Sequence, residues 1–146
     1  MNKKITNREA RFDYEILEDL EVGLVLESDE IKAIRSGRVN LKGSYGKIFV
    51  ENKRPEAFLV GSHFYTTQVD PYRTKKLLLH KVEIDRLVGK VQEKGLTIVP
   101  LEIYFKRGKA KLKIGLGRGK KQFDKRETIK QREVNRKISQ VLKNRL

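Results

Sequence analysis

The chain has 146 residues, 38% of them hydrophobic and 36% charged, and its 34 Lys and Arg against 19 Asp and Glu give a formal net charge of +15. That length suits one domain with some chain outside its core, and such a surplus of charge repels itself unless a polyanion relieves it. The lack of cysteine excludes disulfides, thiolate metal sites and a cysteine nucleophile, and the lack of a long apolar run excludes a signal peptide or bilayer-spanning helix and makes the cytoplasm the expected compartment.

Residues 1–11 are polar and are expected to be loosely held. Strand-like runs follow from Phe12: YEIL at 14–17, then LEVGLVL at 20–26, where Gly23 suggests a bulge or a sharp curve. Ser28 offers an N-cap, Ile31 and Ile34 share a face and Gly37 is a stop, so SDEIKAIRSG reads as a short helix. Residues 45–50 and 57–60 are strand-like around the turn-rich ENKRPE. Residues 66–74, with Asp70-Pro71, lack periodicity and read as a loop. Ile84, Leu87, Val88 and Val91 then keep helical spacing up to Gly95. Residues 97–105 and 110–116 form a hairpin around Lys106-Arg107-Gly108. The fold expected over residues 12–117 is mainly β, a small closed barrel of the oligonucleotide-binding type with two to three helices.

Residues 118–146 differ. They hold 11 basic and 3 acidic residues, a net +8, against a net +7 (23 basic, 16 acidic) in the first 117. GLGRGKK lacks the glycine and the Ser or Thr of a phosphate loop, so its glycines read as a hinge into a basic tail. Asp124 and Glu127 can form a capping box, and Val134, Ile138, Val141 and Leu142 make a thin apolar stripe. A lone helix of that kind is marginal in water and should be ordered by a partner. The tail has no Trp to anchor it in lipid, which favours nucleic acid over a membrane.

Catalytic chemistry is hard to find. His63 and His80 have no second histidine or cysteine at helical spacing and read as ordinary imidazoles, although His80 beside Lys81 can reach a phosphate or a base. Asp70 with Asp85, or Glu21 with Glu30, would be the carboxylates of a metal-dependent nuclease, but no spacing singles them out. No catalytic residue, metal or cofactor is assigned. Basic and aromatic residues interleave more informatively. Strand alternation puts Lys109, Lys111 and Lys113 on one face and Ala110, Leu112 and Ile114 on the other, a ridge able to track a phosphate backbone. Arg73, Lys76 and His80 add to that candidate surface; Tyr72, Tyr104 and Phe105 are candidates for base stacking, with core packing the competing role for Phe105. These features alone also fit a general ribosomal or single-stranded RNA-binding protein.

Three segments narrow the reading: GRVNLKGSY, DPYRTKKLLLHKVEIDRLVGKVQEKGLTIVPLEIYFK and GRGKKQFDKRETIKQRE. In this order and spacing they resemble the SsrA-binding protein family, also called small protein B, from about Asn7 onward. The resemblance implies an oligonucleotide-binding barrel and a non-enzymatic cytoplasmic partner of transfer-messenger RNA (tmRNA) in trans-translation. Protein and RNA together would mimic a tRNA in the vacant decoding site of a stalled ribosome, with the tail helical in the empty mRNA channel against small-subunit ribosomal RNA. The elongation factor and the alanyl-tRNA synthetase that act on tmRNA would be indirect partners. By position, Glu21, Leu78 and Lys111 match the family residues that hold the tRNA-like domain. Gly119, Lys120, Lys121, Asp124, Lys125 and Arg126 match the segment that opens the tail, and Lys130, Arg132, Arg136 and Lys137 carry its charge onward. Phe12 and Val134 depart from the His and Trp that many relatives carry.

Overall fold

The computed structural model describes residues 4–120 and, beyond them, Arg126, Ile129, Arg132, Glu133 and Arg136, whose backbone is helical. The elements run β1 (Ile5–Thr6), α1 (Ala10–Asp13), β2 (Tyr14–Leu24), α2 (Ser28–Arg35), β3 (Val39–Asn40) and β4 (Tyr45–Glu51). They continue with β5 (Arg54–Val60), β6 (His63–Phe64), β7 (Lys75–Leu78), α3 (Lys81–Lys94), β8 (Thr97–Lys106) and β9 (Lys109–Gly119). The fold is mainly β with a few helices. One sheet has the order β1-β8-β4-β5-β7-β2-β9, and β9 also pairs with β8, so the hydrogen-bonded path from β8 returns to β8, with β1 added at its side. All its pairs are antiparallel. β3 and β6 form a separate two-stranded sheet.

Local sequence explains the long strands. Alternation in β9 sends Leu112 and Ile114 into the core, where they meet Ile98 and Ile103 of β8 and Val22 of β2. Burying each such side chain stabilises by about 1.5–3 kcal/mol. Two-residue turns with positive φ at both positions join β4 to β5 (Asn52, Lys53) and β8 to β9 (Arg107, Gly108). This turn class matches the right-handed twist of paired strands. α3 covers the core with Ile84 and Leu87 and stops at Gly95, whose φ of 64° closes the helix in the left-handed conformation. α2 starts one residue earlier than its serine suggests: Glu27 is the cap, in a reciprocal box with Glu30.

Three expectations need correction. The described part of the first segment is tied down. Ile5 pairs with Ile103, the Asn7 amide donates to Pro100 O at 2.8 Å, and Ala10 is buried. Gly23 marks no bulge; the register shifts fall between Ile16 and Glu18 and between Pro100 and Glu102. Its lack of a side chain instead admits Leu78, whose Cβ would lie 3.2 Å from a Cβ placed there. The glycines of GLGRG are no hinge but strand residues paired with β2 as far as Gly119. At Gly117 a Cβ would come within 2.7 Å of Glu15 O, so a bare backbone is needed where β2 crosses. Residues 66–74 form the expected loop, and it is held firmly: the Asp29 carboxylate accepts the N–H groups of Thr67 and Gln68 at 2.9 and 3.0 Å. Both bonds hold that carboxyl below the usual carboxylate range.

Candidate nucleic-acid interface

Strand register assembles the interface. Leu78 of β7 lies opposite Gly23 of β2, Gly23 opposite Lys111 of β9, and Lys111 opposite Tyr104 of β8. One row therefore crosses four strands on the outer face. A second row sets Glu21 opposite Lys113 and Lys113 opposite Glu102. The expected ridge is present: Leu112 and Ile114 are buried while Lys109, Lys111 and Lys113 face outward. Next to the first row a groove of about 590 Å³ is lined by Glu21, Gly23, Leu78, His80, Lys109 and Lys111, among others.

Leu78 does not fill the core. It is 53% exposed, and Leu77 points inward in its place. Lys109 and Lys111 enter no ion pair among the described residues, so both ammonium groups are available to an anion. Lys113 is 3.6 Å from Glu102 and is partly neutralised by it. Glu21 is held from β8: its carboxylate accepts the Tyr104 hydroxyl and lies 3.4 Å from the Lys106 ammonium. The Tyr104 hydrogen bond, helped by Lys106 and Lys111, keeps Glu21 below the usual carboxylate range. In turn, burial and the Glu21 carboxylate push the Tyr104 hydroxyl up to about 12. Glu21 is thus an ionised acceptor fixed at the rim of a basic groove.

The other predicted residues are placed differently. His80 lines the groove but also caps α3, its side chain accepting the Glu83 N–H while its own N–H donates to Glu83 at 2.9 Å. Arg73 is turned inward: Nε and one terminal nitrogen bind Glu30 at 2.9 and 2.6 Å. Lys76 lies 3.3 Å from Glu56, away from the groove. Phe105 packs on the core, lines the groove and carries the Arg35 guanidinium 5.8 Å above its ring. Tyr72 is exposed and packs edge-on to His63, apart from the groove.

In the tail segment Gly119 pairs with Tyr14, and Lys120 donates to Asp13 O at 2.9 Å and Arg11 O at 2.8 Å. Arg126, Arg132 and Arg136 are helical and exposed, with Arg132 5.7 Å from the Phe12 ring. Lys121, Asp124, Lys125, Lys130 and Lys137 lie outside the described residues, as do the capping box and apolar stripe.

Sequence reasoning missed Tyr104 as the holder of Glu21. The hairpin turn contained that signal, because Arg107-Gly108 puts Lys106 opposite Lys109 and hence Tyr104 opposite Lys111. It also missed a buried cluster in which Glu30, wholly buried, takes Arg73 and the equally buried Lys75, 3.4 Å away. Nothing local announces that contact. Of the carboxylates weighed as metal ligands, Glu30 and Glu21 are so engaged and Asp70 accepts the Tyr72 N–H at 2.9 Å. No described helix is long and apolar enough to cross a membrane.

Comparison with known proteins bears on this geometry. The family profile described as SmpB protein matches residues 4–144. An SsrA-binding protein of Enterococcus faecalis is 49% identical over 94% of this chain and 91% of its own. One from Thermosynechococcus vestitus is 48% identical over 95% and 93%. A solved structure described as "tmRNA-SmpB: a journey to the center of the bacterial ribosome" matches with a TM-score of 0.64 at 47% identity, covering 82% of this chain and 85% of that one. A match running through all three signature segments and nearly the whole sequence leaves one conclusion: the chain belongs to the SmpB, or SsrA-binding protein, family.

Proposed function

We propose that this chain binds the tRNA-like part of transfer-messenger RNA through the groove beside β2, β7 and β9, and serves trans-translation as an RNA-binding protein without catalysis of its own. The observation that carries the reading is the convergence of Glu21, Leu78 and Lys111 on one groove wall from three separate strands. The closed path of strands is read as a barrel of the oligonucleotide-binding type, with residues 12–117 as its RNA-binding unit. Lys109 and Lys111 would neutralise phosphates, and each released counterion adds to affinity at low salt. Leu78 offers an apolar contact to a base or sugar. Glu21, held ionised, only accepts hydrogen bonds, so it selects a base amino group or a 2′-hydroxyl and repels a misplaced phosphate.

On a stalled ribosome the protein and RNA together occupy the vacant decoding site as a tRNA does, the body standing where the anticodon arm is missing. The tail, residues 118–146, then enters the empty mRNA channel and becomes helical against small-subunit ribosomal RNA, carried by Lys120, Arg126, Arg132, Arg136 and their basic neighbours. The relatives named SsrA-binding protein and the similarity to the tmRNA-SmpB structure support this reading. In this account the protein is cytoplasmic, and the elongation factor and alanyl-tRNA synthetase meet it only through the RNA. A chain shortened after Lys120 keeps β9 and its ties to α1. It should hold the tRNA-like fragment nearly as well as the full chain and fail to support tagging on stalled ribosomes. Equal loss of both activities contradicts the division of labour.

A further inference from the structure

The groove leaves one aromatic cluster unused. His63 of β6 sits between two tyrosines, edge-to-face with Tyr65 at 4.4 Å and 77° and with Tyr72 at 4.8 Å and 67°. Both tyrosines are 60% exposed, although the segments that carry them are fixed. Phe64, between His63 and Tyr65, is fully buried, and its N–H donates to Pro71 O at 3.0 Å, tying β6 to the turn that presents Tyr72. That turn is closed by Asp70, the loop between the tyrosines is fastened to Asp29, and Arg73, the residue after Tyr72, is fastened to Glu30. Exposed rings on a backbone this constrained lose little entropy when they bind, because only their χ angles remain to be fixed.

The neighbours are polar and cationic. Asn40 of β3 is paired with His63, and the Tyr65 N–H donates to Arg38 O, so Arg38 and Asn40 border the rings on the same exposed edge. Neither Arg38 nor Lys42 enters an ion pair among the described residues. None of these residues lines the groove that holds Glu21 and Lys111.

We propose that His63, Tyr65 and Tyr72, bordered by Arg38, form a second RNA-contact site, a platform on which an unpaired base stacks while Arg38 meets its phosphate. The proposal rests on the RNA-binding reading for its ligand class and on separate residues for its site. Aromatic faces accept any base, and a nearby unpaired cation supplies the backbone contact, which is the combination used for single strands. The amide of Asn40 can add a hydrogen bond to a base edge.

The test uses the full chain and the Tyr65→Leu/Tyr72→Leu variant, checked for an unchanged melting temperature, with octaadenylate as the stacking probe. Loss of stacking should weaken octaadenylate by at least about tenfold without changing the salt slope, since no phosphate contact is removed. Arg38→Ala should weaken it and make the log–log slope shallower by about 0.7. A Tyr72→Trp chain, which keeps a stacking ring, should show indole fluorescence quenched on adding octaadenylate. That readout stands even where the double variant folds poorly. Affinity of the double variant within about twofold of the parent, or an unquenched indole signal in Tyr72→Trp, overturns the platform.

Two further arms assign the base to its source: the tRNA-like fragment of tmRNA and isolated small ribosomal subunits. The arm that loses affinity in the double variant names the RNA; loss in neither overturns the site. Lys111→Ala run alongside separates the two ideas. Full retention of the tRNA-like fragment by Lys111→Ala refutes the groove, whatever the tyrosines do.

Discussion

Replacing Glu30 by Gln removes one charge from the best-buried polar cluster of the fold. The carboxylate takes Arg73 through two contacts of 2.6 and 2.9 Å, Lys75 at 3.4 Å and the Glu27 N–H at 2.8 Å. Glu30 and Lys75 are both fully excluded from water, while Arg73 remains 30% exposed and can recover solvent. The variant therefore strands one ammonium, that of Lys75, in the interior. Breaking a buried pair from one side costs about 3–5 kcal/mol, a large share of the total of about 5–15 kcal/mol for a domain. With a urea slope of about 2 kcal/mol/M, the unfolding midpoint should fall by about 2 M. The paired variant Glu30→Gln/Lys75→Met removes the stranded charge and should recover much of the loss. A single variant within about 1 kcal/mol of the parent, or a double variant no better than the single, refutes the reasoning. The cluster also bears on the interface, because Lys75 opens β7 and β7 presents Leu78.

Other outcomes follow from the same contacts. Burial pushes the Glu30 carboxyl up, but Arg73, the Glu27 N–H and Lys75 outweigh it and hold it below its ordinary value of 4.5. Its stabilisation is therefore complete above that value and lost as pH falls through the lower folded one, so acid unfolding should flatten below about pH 4 in Glu30→Gln. Glu21→Gln should lower the Tyr104 hydroxyl from about 12 only part of the way toward about 10, since burial, the larger cause, remains, read as tyrosinate absorbance; an unchanged titration contradicts the hydrogen bond. Because the folded value is the raised one, stability from this pair is full below about pH 10 and fades as pH rises toward about 12. Gly117→Ala places a Cβ against Glu15 O and should cost about 1–3 kcal/mol in thermal unfolding, whereas an unchanged midpoint would show that β2 can yield. Lys111→Ala should make the log–log salt dependence of tRNA-like binding shallower by about 0.7–0.9; an unchanged slope removes the phosphate contact assigned there.

Long strands and both longer helices were legible because periodicity, caps and turn residues act within a few positions. The lysine ridge is one such case: alternation alone gives it, and β9 shows it. Short elements were not legible, since two residues of β1, β3 or β6 carry no period and exist only through their partners. Glycine misled twice for a related reason. Gly23 and Gly117 look like bulge and hinge signals locally, yet both are set by a side chain or backbone arriving from another strand. Arg73 and Lys76 look like free basic residues beside Tyr72 in the sequence, but Glu30 and Glu56 pair with them in the fold. Such pairings join residues distant in sequence, and composition cannot foresee which cations they consume. Leu78, whose type fits core or surface equally, is placed outside the core by strand parity, with Leu77 turned inward.

The central claim is that the groove around Glu21, Leu78 and Lys111 selects folded RNA. It is tested most directly by the affinity of the full chain for the tRNA-like tmRNA fragment and for an unstructured RNA of equal length, at two salt concentrations. A strong preference for the folded fragment that persists at the higher salt is the expected result. Equal binding of both RNAs, collapsing together as salt rises, would contradict it and leave a basic protein held by charge alone.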